Sequence, residues 1–298
     1  MVNQGDVDLR AEDWRKDLVG FALQSFTLLE DLTLKGTSAW INHFYQESAT
    51  ELAGSGTRTP RGLGRGSELP TARVSWTLVT KRIEKYGLKD YILYEDAISD
   101  NVDVVGRTLL RLARGVVKSI EDEVFDVVTE DQSASTILTT TTTSIGGDQW
   151  DTAPTSGVYA QRPEADVLDA MRQIAANNYS EIYTGGGALW LSPKDYMSIL
   201  VVSYGNGSKA PKIGERILAD GRMEQMYCGL SVRISNSVVA DYAVVLVKKR
   251  CATWTELESL KVRVEDHSPK DFEISAWAFG VSAITDPKAI CLIIDTVA

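Results

Sequence analysis

A mixed α+β fold is predicted for this 298-residue chain. One long stretch, about Val105 to Val128, repeats its apolar residues at helical spacing, whereas several later stretches alternate apolar and polar residues with period two. No repeat of roughly 20 to 50 residues and no heptad pattern runs through the sequence, which excludes solenoids and coiled coils.

Residues 8 to 34 open the chain with Trp14, Leu18, Phe21, Ala22, Leu28, Leu29 and Leu32 at helical spacing, opposite Asp13, Arg15, Lys16 and Asp17. They read as an amphipathic helix with a break near Gly20. After Gly36 the period shortens. Trp40, Asn42, Phe44 and Gln46 face one way and Ile41, His43 and Tyr45 the other, as in a strand, and Val74, Trp76 and Leu78 start a second strand.

Between these strands lies GSGTRTPRGLGRGSELPTAR, with five glycines, Pro60, Pro70 and the arginines Arg58, Arg61, Arg65 and Arg73 against the single acid Glu68. Such a segment has too little apolar surface to offset the entropy of ordering it. The whole reads as a long hairpin, and a two-stranded hairpin alone is marginal in water, so its stabilising surface has to come from elsewhere.

The helix at 105 to 128 carries Val105, Leu109, Leu112, Val116, Ile120, Val124 and Val127 on one face. At about 1.5 Å per residue it spans roughly 35 Å, enough to brace an elongated domain. The run Thr139 to Thr143 is β-branched throughout and reads as a strand or a surface arm. Pro163 opens a helix with Val167, Leu168, Met171, Ile174 and Ala175 inward.

In GGGALWLSPKDYMSILVV, Ala188 to Leu191 is a short buried strand, Ser192 an N-cap and Pro193 the first position of a helix. GLSVRISNSV alternates as a half-buried strand, Ala243 to Val247 is wholly apolar, and LKVRVED, FEISAWAFGVSAIT and AICLIID complete the sheet material.

Composition excludes several function classes. The formal net charge of −10 argues against a protein that grips DNA sequence-specifically through its phosphates, but it suits the wall of a container. No apolar run approaches the roughly 18 residues of a membrane helix. The acidic start, MVNQGDVDLRAEDW, is unlike a secretion signal. Cys228, Cys251 and Cys291 are odd in number and mostly in apolar settings, as buried reduced thiols would be.

Catalytic patterns are missing. His43 and His267 stand in unlike settings, and GxSxG, HExxH, CxxC and Walker sequences do not occur. The GGG at 185 to 187 lacks the lysine of a phosphate cradle and reads as a turn. Adjacent acids such as Glu121 with Asp122, or Glu95 with Asp96, read as solvated faces. Lys248, Lys249 and Arg250 end an apolar strand and mark either an exposed strand end or a subunit contact.

This order of elements resembles the major capsid proteins of tailed double-stranded DNA bacteriophages, the Hong Kong 97-type fold. The match lies in an arm (residues 1–39), an extended hairpin loop with a glycine-rich tip (40–98), and a peripheral domain with its spine helix (99–187). An axial domain (188–250, with LWLSPKDYMSIL and GLSVRISNSVVADYAVVLV) and a return to the peripheral domain (251–298, with FEISAWAFGVSAITDPKAICLIIDT) follow.

The resemblance implies a non-enzymatic shell subunit without cofactors, made in the host cytoplasm and located in the virion capsid. It also implies self-assembly into hexamers and pentamers of an icosahedral shell that encloses DNA without reading its sequence. Portal, separate scaffold and possibly decoration proteins are the implied partners, because no long segment ahead of the arm serves as a fused scaffold. Trp14, Leu18, Phe21, Trp40, Phe44 and Trp76 are then the expected subunit-contact residues. Arg58, Arg61 and Arg65 either meet acids next door or belong to an unordered loop. An encapsulin-like compartment shares the implied fold, and an enzyme with an unrecognised site is the reading from a different class.

Overall fold

The computed structural model describes residues 16–18, 20, 26–47, 76–99, 104–130, 137–142, 149–151, 162–177, 179–205, 213–217, 223–267 and 270–297. The strands are β1 (Thr33–Gly36), β2 (Ile41–Glu47), β3 (Trp76–Arg82), β4 (Glu84–Leu93), β5 (Leu138–Thr141), β6 (Gly187–Leu191) and β7 (Gly214–Ile217). They continue with β8 (Met223–Tyr227), β9 (Leu230–Ile234), β10 (Tyr242–Val247), β11 (Ala252–Asp266), β12 (Asp271–Ile284) and β13 (Ile290–Ile294). The helices are α1 (Tyr94–Ser99), α2 (Val104–Glu130), α3 (Pro163–Ala176) and α4 (Pro193–Gly205).

Among the described residues these strands form three sheets: a four-stranded one in the order β1-β11-β12-β4, a seven-stranded one in the order β5-β13-β10-β6-β9-β8-β7, and a ribbon of β2 and β3. The long helix expected at 105 to 128 is α2, and its apolar face, including Leu109, Leu112, Val116, Ile120, Val124 and Val128, is buried. It lies across β4 and β12. Gly115 faces the Leu88 side chain of β4: a Cβ there would stand 2.4 Å from Leu88 Cδ1, so a larger residue would turn that half-exposed side chain aside.

The wholly apolar stretch at 243 to 247 is the core of β10, fully buried between β13 and β6. Such a strand has no solvated face, which is why its sequence does not alternate. α3 packs against β13 and β5 on this sheet. Ser192 caps α4 as expected: its Oγ accepts the Asp195 amide at 3.1 Å and donates to the Asp195 carboxylate at 2.5 Å. The glycine turn is observed too, with Gly185 left-handed at φ 88° closing a short helical turn at Ser180–Thr184.

Strand pairing departs from the expected division of the chain at three points. β4 lies inside the span expected for the hairpin loop, yet it pairs with β12 along its length, so the free ribbon is shorter than residues 40–98. The threonine run becomes β5, parallel to β13, and both belong to the seven-stranded sheet. The closing strand at 290 to 294 therefore returns to the sheet of β10 instead of the sheet of β11 and β12. These are non-local pairings, which hydropathy patterns do not encode.

The helix expected to run to residue 34 also stops early. Residues 16–18 and 20 are helical, but Phe26 and Thr27 are irregular, Leu29–Asp31 form one tight turn, and Thr33–Gly36 pair with β11 as β1. Leu28, Leu29 and Leu32 are buried all the same, so the apolar pattern was a burial signal whose period was misread. Leu168, expected inward on α3, is 40% exposed.

Arg233 stands on the polar side of the alternation in GLSVRISNSV, yet β9 is an interior strand of the seven-stranded sheet. Its guanidinium lies 3.3 Å from each of the carboxylates of Glu30, Asp31 and Glu224, and Lys248 reaches Glu224 at 3.2 Å.

Candidate subunit-contact site

The ribbon begins where β3 hands over to β4 at the buried Ile83, whose amide donates to Trp40 O at 3.1 Å. Its root is fixed. Asn42 Nδ2 donates to Thr255 Oγ1 at 2.8 Å, and the Trp40 ring meets Phe279 edge-on at 5.4 Å. Beyond the root, β2 and β3 pair with each other in antiparallel register from Ile41 opposite Arg82 to Glu47 opposite Trp76.

That register sorts the side chains into two faces. Asn42, Phe44 and Gln46 share one with Thr77, Val79 and Lys81; Ile41, His43 and Tyr45 share the other with Trp76, Leu78 and Thr80. The second face is open: Ile41 is 51% exposed, Tyr45 62%, Trp76 53% and Leu78 56%. Four large apolar side chains gathered on one face of a thin ribbon form the kind of patch that marks an interaction surface.

The contact residues expected from sequence fare differently. Phe44 is half-buried on the opposite face from Trp76, so these two do not share a face, whereas Trp40 meets Phe279 edge-on and remains 57% exposed. Leu18 is completely buried in the core of its own subunit, so its side chain is not offered to a neighbour. Trp14, Phe21, Arg58, Arg61 and Arg65 lie outside the described residues. Ile41, Tyr45 and Leu78 went unselected; the pairing of Trp76 with Glu47, which brings them together, cannot be read without the register.

The basic run ends β10 in an exposed turn, with Lys249 and Arg250 at the surface, yet each of its cations is bonded within the subunit. Lys248 bonds Glu224, Lys249 Nζ donates to Leu32 O at 2.8 Å, and Arg250 lies 4.5 Å over the Tyr179 ring while its Nε donates to Asp286 at 3.3 Å. All three positive charges are used inside the subunit.

Chemistry-bearing groups are not gathered elsewhere among the described residues. Among the described residues no group of three or more metal-ligating side chains occurs. His43 Nδ1 is bonded with Thr80 Oγ1 on the ribbon, and His267 stands beside Asp271 at the β11–β12 turn. The three cysteines are free, and burial pushes each thiol up to about 12, which leaves them protonated and poor nucleophiles.

One buried acid gives a pH-dependent signature. Asp166 on α3 accepts Trp150 Nε1–H at 2.8 Å through one oxygen, while its other oxygen has no partner. Burial pushes its carboxyl up to about 7, with the bond from Trp150 opposing the shift and the Asp169 carboxylate adding to it. Between its ordinary 3.8 and about 7 the folded chain holds a proton that the unfolded chain has lost, so stability falls as pH rises through that window. Asp166→Asn keeps an acceptor for Trp150 without the charge. Thermal unfolding should show the variant matching the parent near pH 4 and melting several degrees higher at pH 8, at about 2–4 °C per kcal/mol for a chain of this size. An unchanged slope in the variant would assign the pH dependence to other groups.

Comparison with known proteins places this geometry. A family model described as phage capsid protein matches residues 77–293. The fold is similar to that of the virus-like particle of Pyrococcus furiosus, with a TM-score of 0.63 at 14% identity over 95% of this chain and 99% of that one. It is also similar to the capsid of the cyanophage P-SCSP1u, with a TM-score of 0.58 at 14% identity over 90% and 88%. The SrpI encapsulin of Synechococcus elongatus matches with a TM-score of 0.54 at 11% identity over 92% and 90%. No curated protein sequence matches the chain.

Proposed function

Because the chain belongs to the phage capsid protein family, a structural family, we propose that it builds the icosahedral head shell as hexamers and pentamers of itself, with the β2–β3 ribbon clasping a neighbouring copy. The ribbon carries this reading. It is a two-stranded element with an open apolar face, and a ribbon of that kind gains its stability from a surface that its own subunit does not supply.

The subunit has no catalytic task in this reading. It is made in the host cytoplasm and encloses DNA without reading its sequence. A separate scaffold, a portal and decoration proteins complete the head. The arginines Arg58, Arg61 and Arg65 meet acids of the adjacent copy, for which the net charge of −10 provides ample partners. The encapsulin-like compartment shares the fold, and the family match favours the capsid.

The test is removal of Gly54 to Thr71. The shortened subunit should keep its circular dichroism and melting temperature but fail to form closed shells in negative-stain images. Normal particles from it would refute the clasp.

A further inference from the structure

Residues 27 to 37 are bonded in turn to three separate parts of the molecule. Glu121 Oε1 of α2 accepts the Thr27 amide at 2.6 Å, Thr27 Oγ1–H at 2.8 Å and the Leu28 amide at 3.0 Å, while its Oε2 accepts Ser235 Oγ–H at 2.7 Å. One buried carboxylate thus holds the segment to the long helix and to the turn after β9. Four donors on one carboxylate make this a strong attachment.

Three residues on, Asp31 is wholly buried against the seven-stranded sheet. It accepts Trp190 Nε1–H of β6 at 2.9 Å and Arg233 Nε–H of β9 at 3.3 Å. The Lys249 amide donates to Asp31 O at 2.7 Å, and Thr33 Oγ1 donates to Lys249 O at 2.6 Å. Immediately afterwards β1 pairs in parallel with β11, and the Thr37 amide donates to Glu256 O at 2.8 Å. The chain then passes through Trp40 into the ribbon.

We propose that this segment is a strap that fixes the angle between the two sheets, so that a second copy engaging the ribbon loads the seven-stranded sheet through β1, Asp31 and Glu121. The inference rests on the ribbon reading above. Its strong points are the two buried carboxylates. Its weak point is β1, four residues of parallel pairing at the edge of the four-stranded sheet. Loosening either carboxylate frees the angle between the sheets, and with it the curvature each subunit imposes on a shell.

The experiment compares the full chain with Glu121→Gln, which keeps the shape of the acceptor without its charge, and Thr27→Val, which removes one donor and decides the matter if the first variant does not fold. Hydrogen exchange of the Thr27 and Leu28 amides should accelerate roughly tenfold or more in Glu121→Gln. Its particles should still close, with a broader spread of diameters than the parent. Uniform particles of parental diameter, folded subunits that do not assemble, or broadened particles without faster exchange would each overturn the strap. The ribbon reading fails separately, through closed particles from the 54–71 deletion, in which exchange of the strap amides should be unchanged.

Discussion

A subunit carrying Tyr45→Thr, Trp76→Thr and Leu78→Thr should fold as the parent does and form no closed particles. Threonine supplies the β-branching that a strand favours, so the β2–β3 register is retained. What is lost is the apolar face: three side chains that stand more than half exposed in the single subunit and contribute little to its own core. Residues half in water in the folded state change stability by about 1 kcal/mol or less on truncation, whereas aromatic anchors buried at an interface each contribute about 2 kcal/mol or more to association. In a shell every ribbon makes the contact, so the deficit is repeated at each subunit and closure is lost. Sedimentation velocity combined with thermal unfolding separates the two effects. A melting temperature within a few degrees of the parent together with slow-sedimenting species is the expected pair of results; fast-sedimenting closed particles would show that this face is not the contact.

The second large effect is on stability. Arg233→Leu should lower stability by about 3 kcal/mol, or roughly 6–12 °C in melting temperature. Arg233 answers three carboxylates at 3.3 Å, two of which, Asp31 and Glu224, are almost completely buried. Removing the cation leaves Asp31 with the neutral donor Trp190 Nε1 and Glu224 with Lys248, so one buried negative charge loses its counter-charge. Most of the loss should return when Asp31→Asn is added, because the uncompensated charge is then gone. If the double variant is no more stable than Arg233→Leu, the loss lies in packing and not in charge.

What the sequence disclosed, and what it hid, follows from the range of the forces involved. α2, the β6–Ser192–Pro193–α4 junction and the buried strand β10 were legible because each is specified by its own residues: a 3.6-residue apolar period, a cap with proline behind it, and an unbroken apolar run. Leu28, Leu29 and Leu32 announced their burial but not their conformation, since the bonds that replace a helix there come from Glu121, more than ninety residues away. Arg233 looked solvated because alternation reports polarity, not the partner that a polar group meets after folding. The contact face was half legible. Trp76 was identifiable as a large aromatic in a thin hairpin, but Ile41, Tyr45 and Leu78 join it only through the register, which composition does not reveal.

Electron microscopy of the purified 298-residue chain, at concentrations where its ribbons meet, tests self-assembly most directly. Closed particles or rings of five and six subunits are the expected images. A strictly monomeric globule, with Tyr45, Trp76 and Leu78 sheltered against its own surface in solution, would contradict a shell built by exchange of ribbons.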